Sequence, residues 1–144
     1  MHSVERSVLL QYSARQMFDL VADVEKYPEF MPWCGGATVS EKDAQGMQAS
    51  ITISLAGIKQ TFTTRNTHHY PNSIALQLVD GPFSVLTGNW EFISLSDDAC
   101  KVLFKLNYEF SNRALETLVG PIFNRIATSF IDSFTQRAQV CYGE

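Results

Sequence analysis

The sequence predicts an α+β fold in which a curved antiparallel sheet holds one long C-terminal helix. Residues 47–55 alternate between apolar and polar side chains, as a half-buried antiparallel strand does. Further stretches with strand composition follow, separated by turn residues, as far as residue 110. From about residue 112 to 141 the apolar side chains return at helical spacing, which predicts a helix of about 45 Å. Only this helix is long enough to cover the apolar face of such a sheet.

A strand and a helix precede the main run of strands. Val4, Val8 and Leu10 alternate with other residues well enough to predict the strand. Ser13 and Gln16 have the spacing of a capping box, in which a hydroxyl and an amide each satisfy a backbone N–H group at a helix start. We therefore expect a helix to begin just after Ser13.

The segment YPEFMPWCGG, residues 27–36, combines several large apolar side chains with two prolines and two glycines. We expect a short helical turn at residues 24–29 and then an irregular loop, because proline interrupts regular structure. Apolar side chains on such a loop can cover the mouth of a cavity, and its prolines lower the entropy lost on ordering. Phe83, after the turn at residues 80–82, offers a second aromatic edge that could face the first. The alternative is that Trp33 and its neighbours simply close the end of a filled core.

The remaining strands are marked by their composition and by the turns between them. Counting the first strand, we expect roughly six or seven. Turn residues at Gly46, Gly57 and positions 71–72, 80–82 and 96–98 separate them. The predicted strands beyond residue 57 are KQTFTTRNTHHY, SIALQLV, VLTGNWEFISL and KVLFKLNYEF.

The final helix has one apolar and one polar face. Gly120 and Pro121 lie within it, and proline lacks the N–H group that an interior helical position donates. We expect a kink or a restart at this point. A strongly twisted sheet does not touch a straight helix everywhere, so a hydrophobic cavity can persist between them.

Composition limits the class of protein. The chain has 144 residues, 45% of them hydrophobic, which favours one domain over residues 1–144. Its net charge of -4 argues against binding DNA through a broad basic surface. The three cysteines are odd in number and far apart, as is typical of reduced thiols in a cytoplasmic protein. No run approaches the roughly 18 apolar residues of a membrane span.

Catalysis has little support in the sequence. His68 and His69 are adjacent on a predicted strand, so their side chains point to opposite faces and cannot readily share a metal ion. Asp97 and Asp98 lie in a turn, where solvated carboxylates are ordinary. Ser13 is better explained as a helix cap than as a nucleophile. We predict no catalytic residue, no metal site and no obligatory cofactor, and a cyclase-like enzyme is the least favoured reading.

Four motifs carry a family resemblance that covers essentially the whole chain. They are DVEKYPEFMPWC, FTTRN, LVDGPFSVLTGNWEF and FTQRA, in this order. With them the chain resembles the START-like family of coenzyme Q-binding and polyketide-cyclase-like proteins. The resemblance implies the helix-grip fold, also called START-like or Bet v 1-like, with a hydrophobic cavity.

The resemblance implies two different functions. The first is non-enzymatic binding of a hydrophobic ligand, ubiquinone or another polyisoprenoid lipid, in support of respiration, with transient membrane contact. Arg65, Asn66, Tyr108 and the Trp90 indole are candidates for hydrogen bonds to a quinone head. The alternative follows relatives that are toxins, which bind the large ribosomal subunit and block its joining with the small one.

For the alternative, the candidate contacts are cationic. Lys101 and Lys105 share the outward face of a predicted strand, and Arg113 lies near the start of the final helix. Such charges are also ordinary on any solvent-exposed surface. For the first function, we expect the ligand to lie against aromatic side chains of the sheet, the final helix and the two loops. These are Phe30, Trp33, Phe83, Trp90, Phe104, Tyr108, Phe123 and Phe130.

Overall fold

Seven strands form one antiparallel sheet, and two α-helices and a short 3-10 helix pack on its inner face. The computed structural model describes residues 1–143. The elements are β1 (His2–Leu10), α1 (Ala14–Ala22), a 3-10 helix (Val24–Glu29), β2 (Cys34–Asp43), β3 (Gly46–Leu55), β4 (Ile58–His69), β5 (Ser73–Asp80), β6 (Phe83–Ser96), β7 (Ala99–Phe110) and α2 (Arg113–Tyr142).

The strand order across the sheet is β1-β7-β6-β5-β4-β3-β2. Strands β2 to β7 are therefore joined by consecutive hairpins, whereas β1 pairs with β7 from the far end of the chain. In that pairing the buried Val4 lies opposite the buried Leu106. Together with the long helix, this curved sheet is the α+β arrangement that the sequence predicts.

The predicted start of α1 is confirmed in detail. The Gln16 backbone N–H donates to the Ser13 hydroxyl at 3.1 Å, and the Ser13 N–H donates to the Gln16 side-chain oxygen at 2.9 Å. These two bonds fix the direction in which α1 leaves β1. The helix consequently buries Met17 and Phe18 against the sheet.

Helix α2 is continuous over 30 residues, so the expected restart at Gly120 and Pro121 does not occur. Pro121 leaves the carbonyl group of Thr117 without its helical N–H partner. Both residues are exposed, so this carbonyl lies on the side of the helix that faces water. The buried face of α2 consists of Val119, Phe123, Ile126, Ala127, Ile131, Phe134 and Ala138.

Strand β2 was not expected from the sequence. It begins at Cys34, inside the segment predicted to be a loop, and pairs only with β3 because it is an edge strand. Its signal is weak: after Gly35 and Gly36, the half-buried apolar residues are only Ala37 and Val39. Glycine lowers strand propensity, so the pattern did not reveal an element that sheet pairing stabilises.

Candidate functional site

A small cavity lies between the inner face of the sheet, helix α2 and the segment after α1. The volume open to the centre of a water molecule is about 50 Å³. A benzene ring is held by a cavity of about 150 Å³, so this one has room for a few water molecules. Side chains therefore fill most of the hydrophobic cavity that the sequence analysis expected between the sheet and the helix. Its walls consist of Val21, Ala22, Val24, Tyr27, Met31, Ile51, Phe62, Thr64, Asn66, His68, Ile74, Leu76, Leu86, Trp90, Phe104, Leu106, Phe123, Phe130 and Phe134.

Aromatic side chains occupy the space that was expected to be empty. The Trp90 and Phe104 rings lie 4.4 Å apart between centroids, and Phe134 meets Trp90 edge-on at 5.3 Å. Phe130 lies 5.5 Å from Phe104. Such tilted and edge-to-face pairs pack densely and add to the free energy of apolar burial. The wall made by β6, β7 and α2 is thus a packed aromatic cluster.

The opposite wall carries a polar strip, which we define as Thr64, Asn66 and His68, three successive inward-facing residues of β4. Thr64 and Asn66 are buried, and the Thr64 hydroxyl donates to the Asn66 side-chain oxygen at 2.6 Å. The His68 Nε2 atom is buried and has no hydrogen-bond partner among residues 1–143. The cavity therefore has one polar side.

The surroundings of His68 favour its neutral form. Burial lowers the pKa of the imidazole, and the positive charges of Lys42 and Arg65 lower it further, against a smaller opposite effect of Asp43. The Phe18 ring meets the imidazole edge-on at a centroid distance of 5.4 Å. A neutral imidazole has one nitrogen that donates and one that accepts a hydrogen bond. In its neutral form, His68 can bind an uncharged group but does not neutralise an anion.

We call residues 27–36 the lid segment. Tyr27 and Met31 are the members that line the cavity, whereas Phe30 and Trp33, which the sequence analysis put there, do not. The reason is the 3-10 helix, which turns Tyr27 inward so that its hydroxyl donates to the Val21 carbonyl group. Burial raises the pKa of Tyr27. This phenol is thus a fixed part of the wall.

The lid segment is fastened at both ends. The Ser54 backbone N–H donates to the Trp33 carbonyl group at 2.8 Å. Arg137 of α2 bonds to the Glu29 carboxylate at 2.9 Å, and its guanidinium carbon lies 4.9 Å from the centre of the Phe30 ring. The hydrogen bond from Arg137 is the main cause that lowers the pKa of Glu29. An opening of the lid would have to break these contacts.

Four of the eight aromatic residues predicted for the pocket line the cavity, namely Trp90, Phe104, Phe123 and Phe130. Phe83 and Tyr108 do not line the cavity and instead pack against Phe123, at centroid distances of 4.9 and 4.7 Å. Phe30 packs against Tyr27 and Phe134. The two aromatic loops therefore contact different turns of α2 and do not face each other, contrary to expectation.

Of the candidates for a polar head group, Asn66 and Trp90 line the cavity. Arg65 points to the outer face, where it lies 3.9 Å from Asp43. The Tyr108 hydroxyl donates to the Asn124 side chain at 3.4 Å, outside the cavity.

Sequence reasoning missed Thr64 and His68 as residues of the cavity wall. Their signal is Phe62: side chains alternate along a strand, so residues 64, 66 and 68 share the inward face of this large apolar residue.

The position beside Gly88 in the sheet is filled by neighbouring side chains. A side-chain carbon at Gly88 would lie 3.0 Å from a methyl carbon of Leu106 and 3.2 Å from one of Leu76. These two leucines come from the neighbouring strands β7 and β5, to which Gly88 is paired. Glycine therefore permits close packing across three strands here rather than leaving room for a ligand.

The outer face of the sheet has a mixed character. Lys101 lies between Leu9 of β1 and Ile93 of β6 in one row across three strands. Leu9 and Ile93 are 68% and 45% exposed, which is unusual for large apolar side chains. Lys105 lies further along β7, opposite Glu5. We define Leu9, Ile93, Lys101 and Lys105 as the outer patch.

Residues 1–143 contain neither a cluster of metal-ligand side chains nor a membrane-spanning helix. No group of three or more His, Cys, Asp or Glu side chains in this range is arranged to hold a metal ion. Within the same residues, no helix is both long enough and apolar enough to cross a membrane.

The chain matches the model of the polyketide cyclase / dehydrase and lipid transport family over residues 10–135. The chain belongs to this family. The match includes the cavity, the lid segment and most of α2, so the family resemblance seen in the sequence motifs is confirmed.

Two named relatives show how far the likeness extends. The chain is 48% identical over 144 residues, all of both chains, to a protein of Vibrio cholerae called ribosome association toxin RatA. It is 24% identical over 135 residues to the mitochondrial coenzyme Q-binding protein COQ10 of Drosophila melanogaster, covering 91% of this chain and 56% of that protein. The likeness to the RatA protein is thus much stronger than the likeness to COQ10.

The fold is shared with a solved structure of low sequence identity. The Zhui aromatase/cyclase from Streptomyces sp. R1128 superposes with a TM-score of 0.83 at 14% identity, covering 98% of this chain and 96% of that one. An identity this low supports the helix-grip fold and nothing about chemistry.

Proposed function

We propose that this protein is a ribosome association toxin of the RatA kind and that it acts in the bacterial cytoplasm by binding rather than by catalysis. The observation that carries the proposal is the end-to-end likeness, at 48% identity, to a protein of that name. This reverses the order of the two functions in the sequence analysis, where ligand binding came first and the toxin was the alternative. The toxin alternative becomes the main proposal, and ligand binding becomes the second.

The outer patch supports a macromolecular contact. It combines two exposed apolar side chains, Leu9 and Ile93, with the ammonium groups of Lys101 and Lys105 on one face of the sheet. Lysines can contact rRNA phosphates or acidic protein groups, and exposed apolar side chains add area to an interface. Glu5, opposite Lys105, limits the positive charge, so such an interface would be local rather than a broad basic stripe.

Cosedimentation with purified ribosomal subunits tests this proposal. We expect the native protein to sediment with the large subunit and to lower the yield of joined ribosomes in a sucrose gradient. The double variant Lys101→Glu, Lys105→Glu should lose at least tenfold in affinity, because it places acids where phosphates or acidic groups would be contacted.

The double variant Lys42→Glu, Lys59→Glu is the matched control. It makes the same change in net charge at two exposed lysines away from the outer patch. It should bind almost as the native protein does. Equal losses in both double variants would rule out the outer patch, and absence of any sedimentation with ribosomal subunits would overturn the main proposal.

The second candidate function is binding of a small hydrophobic molecule in the cavity. It is favoured by the cavity itself, whose walls are largely apolar, and by the name of the COQ10 relative. Ubiquinone was the expected ligand, and its isoprenoid tail would require a much wider cavity than the present 50 Å³ or so. Parting α2 from the lid segment would provide that width.

Extraction of purified protein with organic solvent, followed by mass spectrometry, tests the second candidate. We expect a quinone or another lipid in stoichiometric amount from the native protein. The variant Ile51→Phe, which fills the cavity from β3, should carry much less, while Ile58→Phe, at a half-buried position outside the cavity lining, should carry the native amount. Finding no lipid in any of the three would exclude a retained lipid ligand.

A further inference from the structure

The polar strip has no structural need to be polar. Across β3 and β5, Thr64 is paired with Ala49 and Leu78, and Asn66 is paired with Met47 and Leu76. Apolar side chains would continue that wall without loss of packing. A buried polar side chain lowers stability unless its hydrogen bonds are satisfied, so the strip destabilises the unliganded wall.

Part of the hydrogen-bonding capacity of the strip is unused. The Thr64 hydroxyl donates to the Asn66 side-chain oxygen, which orients the Asn66 amide and leaves its N–H groups to serve another acceptor. The His68 Nε2 atom is buried, and no group in the described part of the chain forms a hydrogen bond with it. Both residues line the same cavity, and their alternate positions on β4 put them on the same face of the strand.

The charge in the cavity restricts what that molecule can be. Among the residues that line the cavity there is no Lys, Arg, Asp or Glu. Arg65, adjacent to the strip in sequence, is turned to the outer face beside Asp43. An ion would enter this low-dielectric site without a countercharge, at a large cost in free energy. The site therefore suits an uncharged molecule.

We propose that the cavity binds a small uncharged ring compound through one hydroxyl group, which accepts a hydrogen bond from the Asn66 amide and donates one to His68 Nε2. A hydroxyl group is suited to this pair because it both donates and accepts. The ring lies against the aromatic wall formed by Trp90, Phe104 and Phe130. This inference rests on the second candidate function and specifies its ligand.

The cavity must widen to admit a ring, and the lid segment provides the means. Met31, on the lid side of the cavity, is unbranched and has several rotatable bonds, so it can repack at small cost. Phe130 is only half-buried and can swing outward on α2. Both movements leave the polar strip in place, because β4 is held between β3 and β5.

Phenol, benzene and benzoate are suitable probes, since they share one ring and differ in a single substituent. Titration calorimetry at neutral pH should give phenol an affinity about tenfold higher than that of benzene, which corresponds to about 1.4 kcal/mol. Benzoate should show no binding at millimolar concentration. In nitrogen NMR spectra, the His68 Nε2 resonance should move on addition of phenol and stay unchanged with benzene.

Two pairs of variants locate the effect. Asn66→Leu and His68→Phe should each bring the preference for phenol over benzene close to one, because each removes a hydrogen-bonding group from the strip. Asn89→Leu and His69→Phe make the same chemical changes on the outer face, where Asn89 bonds to Glu91, and should retain the preference. Loss of the preference in all four would overturn the assignment to the strip.

The other outcomes are also decisive. If phenol and benzene bind the native protein equally well, the cavity accepts ligands but the hydroxyl contact is wrong. If neither binds, the second candidate function itself fails for molecules of this size, and with it the present inference. If the strip variants do not fold, the NMR response of His68 in the native protein still shows whether the phenol hydroxyl group contacts His68 Nε2.

Discussion

Replacing Gly46 with alanine is expected to remove more than about 4 kcal/mol of folding free energy, a large share of the roughly 5–15 kcal/mol that stabilises a typical domain. Gly46 has a φ angle of +151°, and a side-chain carbon there would lie 2.0 Å from the backbone oxygen of Asn66. That oxygen belongs to the central backbone of β4 and cannot move away without breaking the pairing of β3 with β4. Chemical denaturation followed by circular dichroism measures the loss.

Gly57 provides the matched control. It also has a positive φ angle, +79°, but a side-chain carbon there would meet nothing within 4 Å. Gly57→Ala should therefore lower the free energy of unfolding by only about 1–2 kcal/mol, the cost of holding an alanine in a left-handed backbone conformation. If the two variants lost similar stability, the collision with the β4 backbone would not be the cause.

Replacing Phe123 with alanine is expected to lower the free energy of unfolding by about 3–5 kcal/mol, the range for buried aromatic residues. The side chain is 1% exposed and packs against Phe62, Phe83, Tyr108 and Phe110. Those rings come from three strands, so they cannot all move together to fill the space. Urea denaturation should show a lower midpoint with an unchanged slope.

Phe130→Ala is the control on the same helix, seven residues further along the same face. Phe130 contacts Trp33 and Phe104 but remains half-buried, so water can enter the vacated space. We expect less than half the loss seen for Phe123→Ala. An equal loss would mean that burial does not govern the cost along this helix.

The general architecture could be predicted because the relevant signals are local. The capping box at Ser13 and Gln16 depends on spacing alone, and the alternation in β3 and the helical period of α2 are strong over many residues. Strand β2 lacks such a signal. It forms because β3 offers it a partner, and pairing between strands is not visible in the sequence of either one.

The candidate site was only partly predictable, because the sequence shows neither the volume of the cavity nor every side chain that points into it. Sequence identified Trp90 and Phe104 as inward-facing, but it cannot show that Leu76 and Leu106 close the gap left by Gly88. Whether side chains fill a cavity depends on contacts between several strands. The polar strip was missed because β4 is rich in threonine and therefore looks polar on both faces. Only Phe62 indicates which face of this strand is buried.

The pairing of β1 with β7 has a consequence for how the chain reaches this shape. Each hairpin from β2 to β7 can close as soon as its second strand has been synthesised, but β1 must wait for residues about a hundred positions later. Bringing such distant segments together has a high entropic cost, which slows folding. We expect the first strand to stay unpaired on a growing polypeptide until Leu106 emerges, which makes it the segment most open to proteases and chaperones during translation.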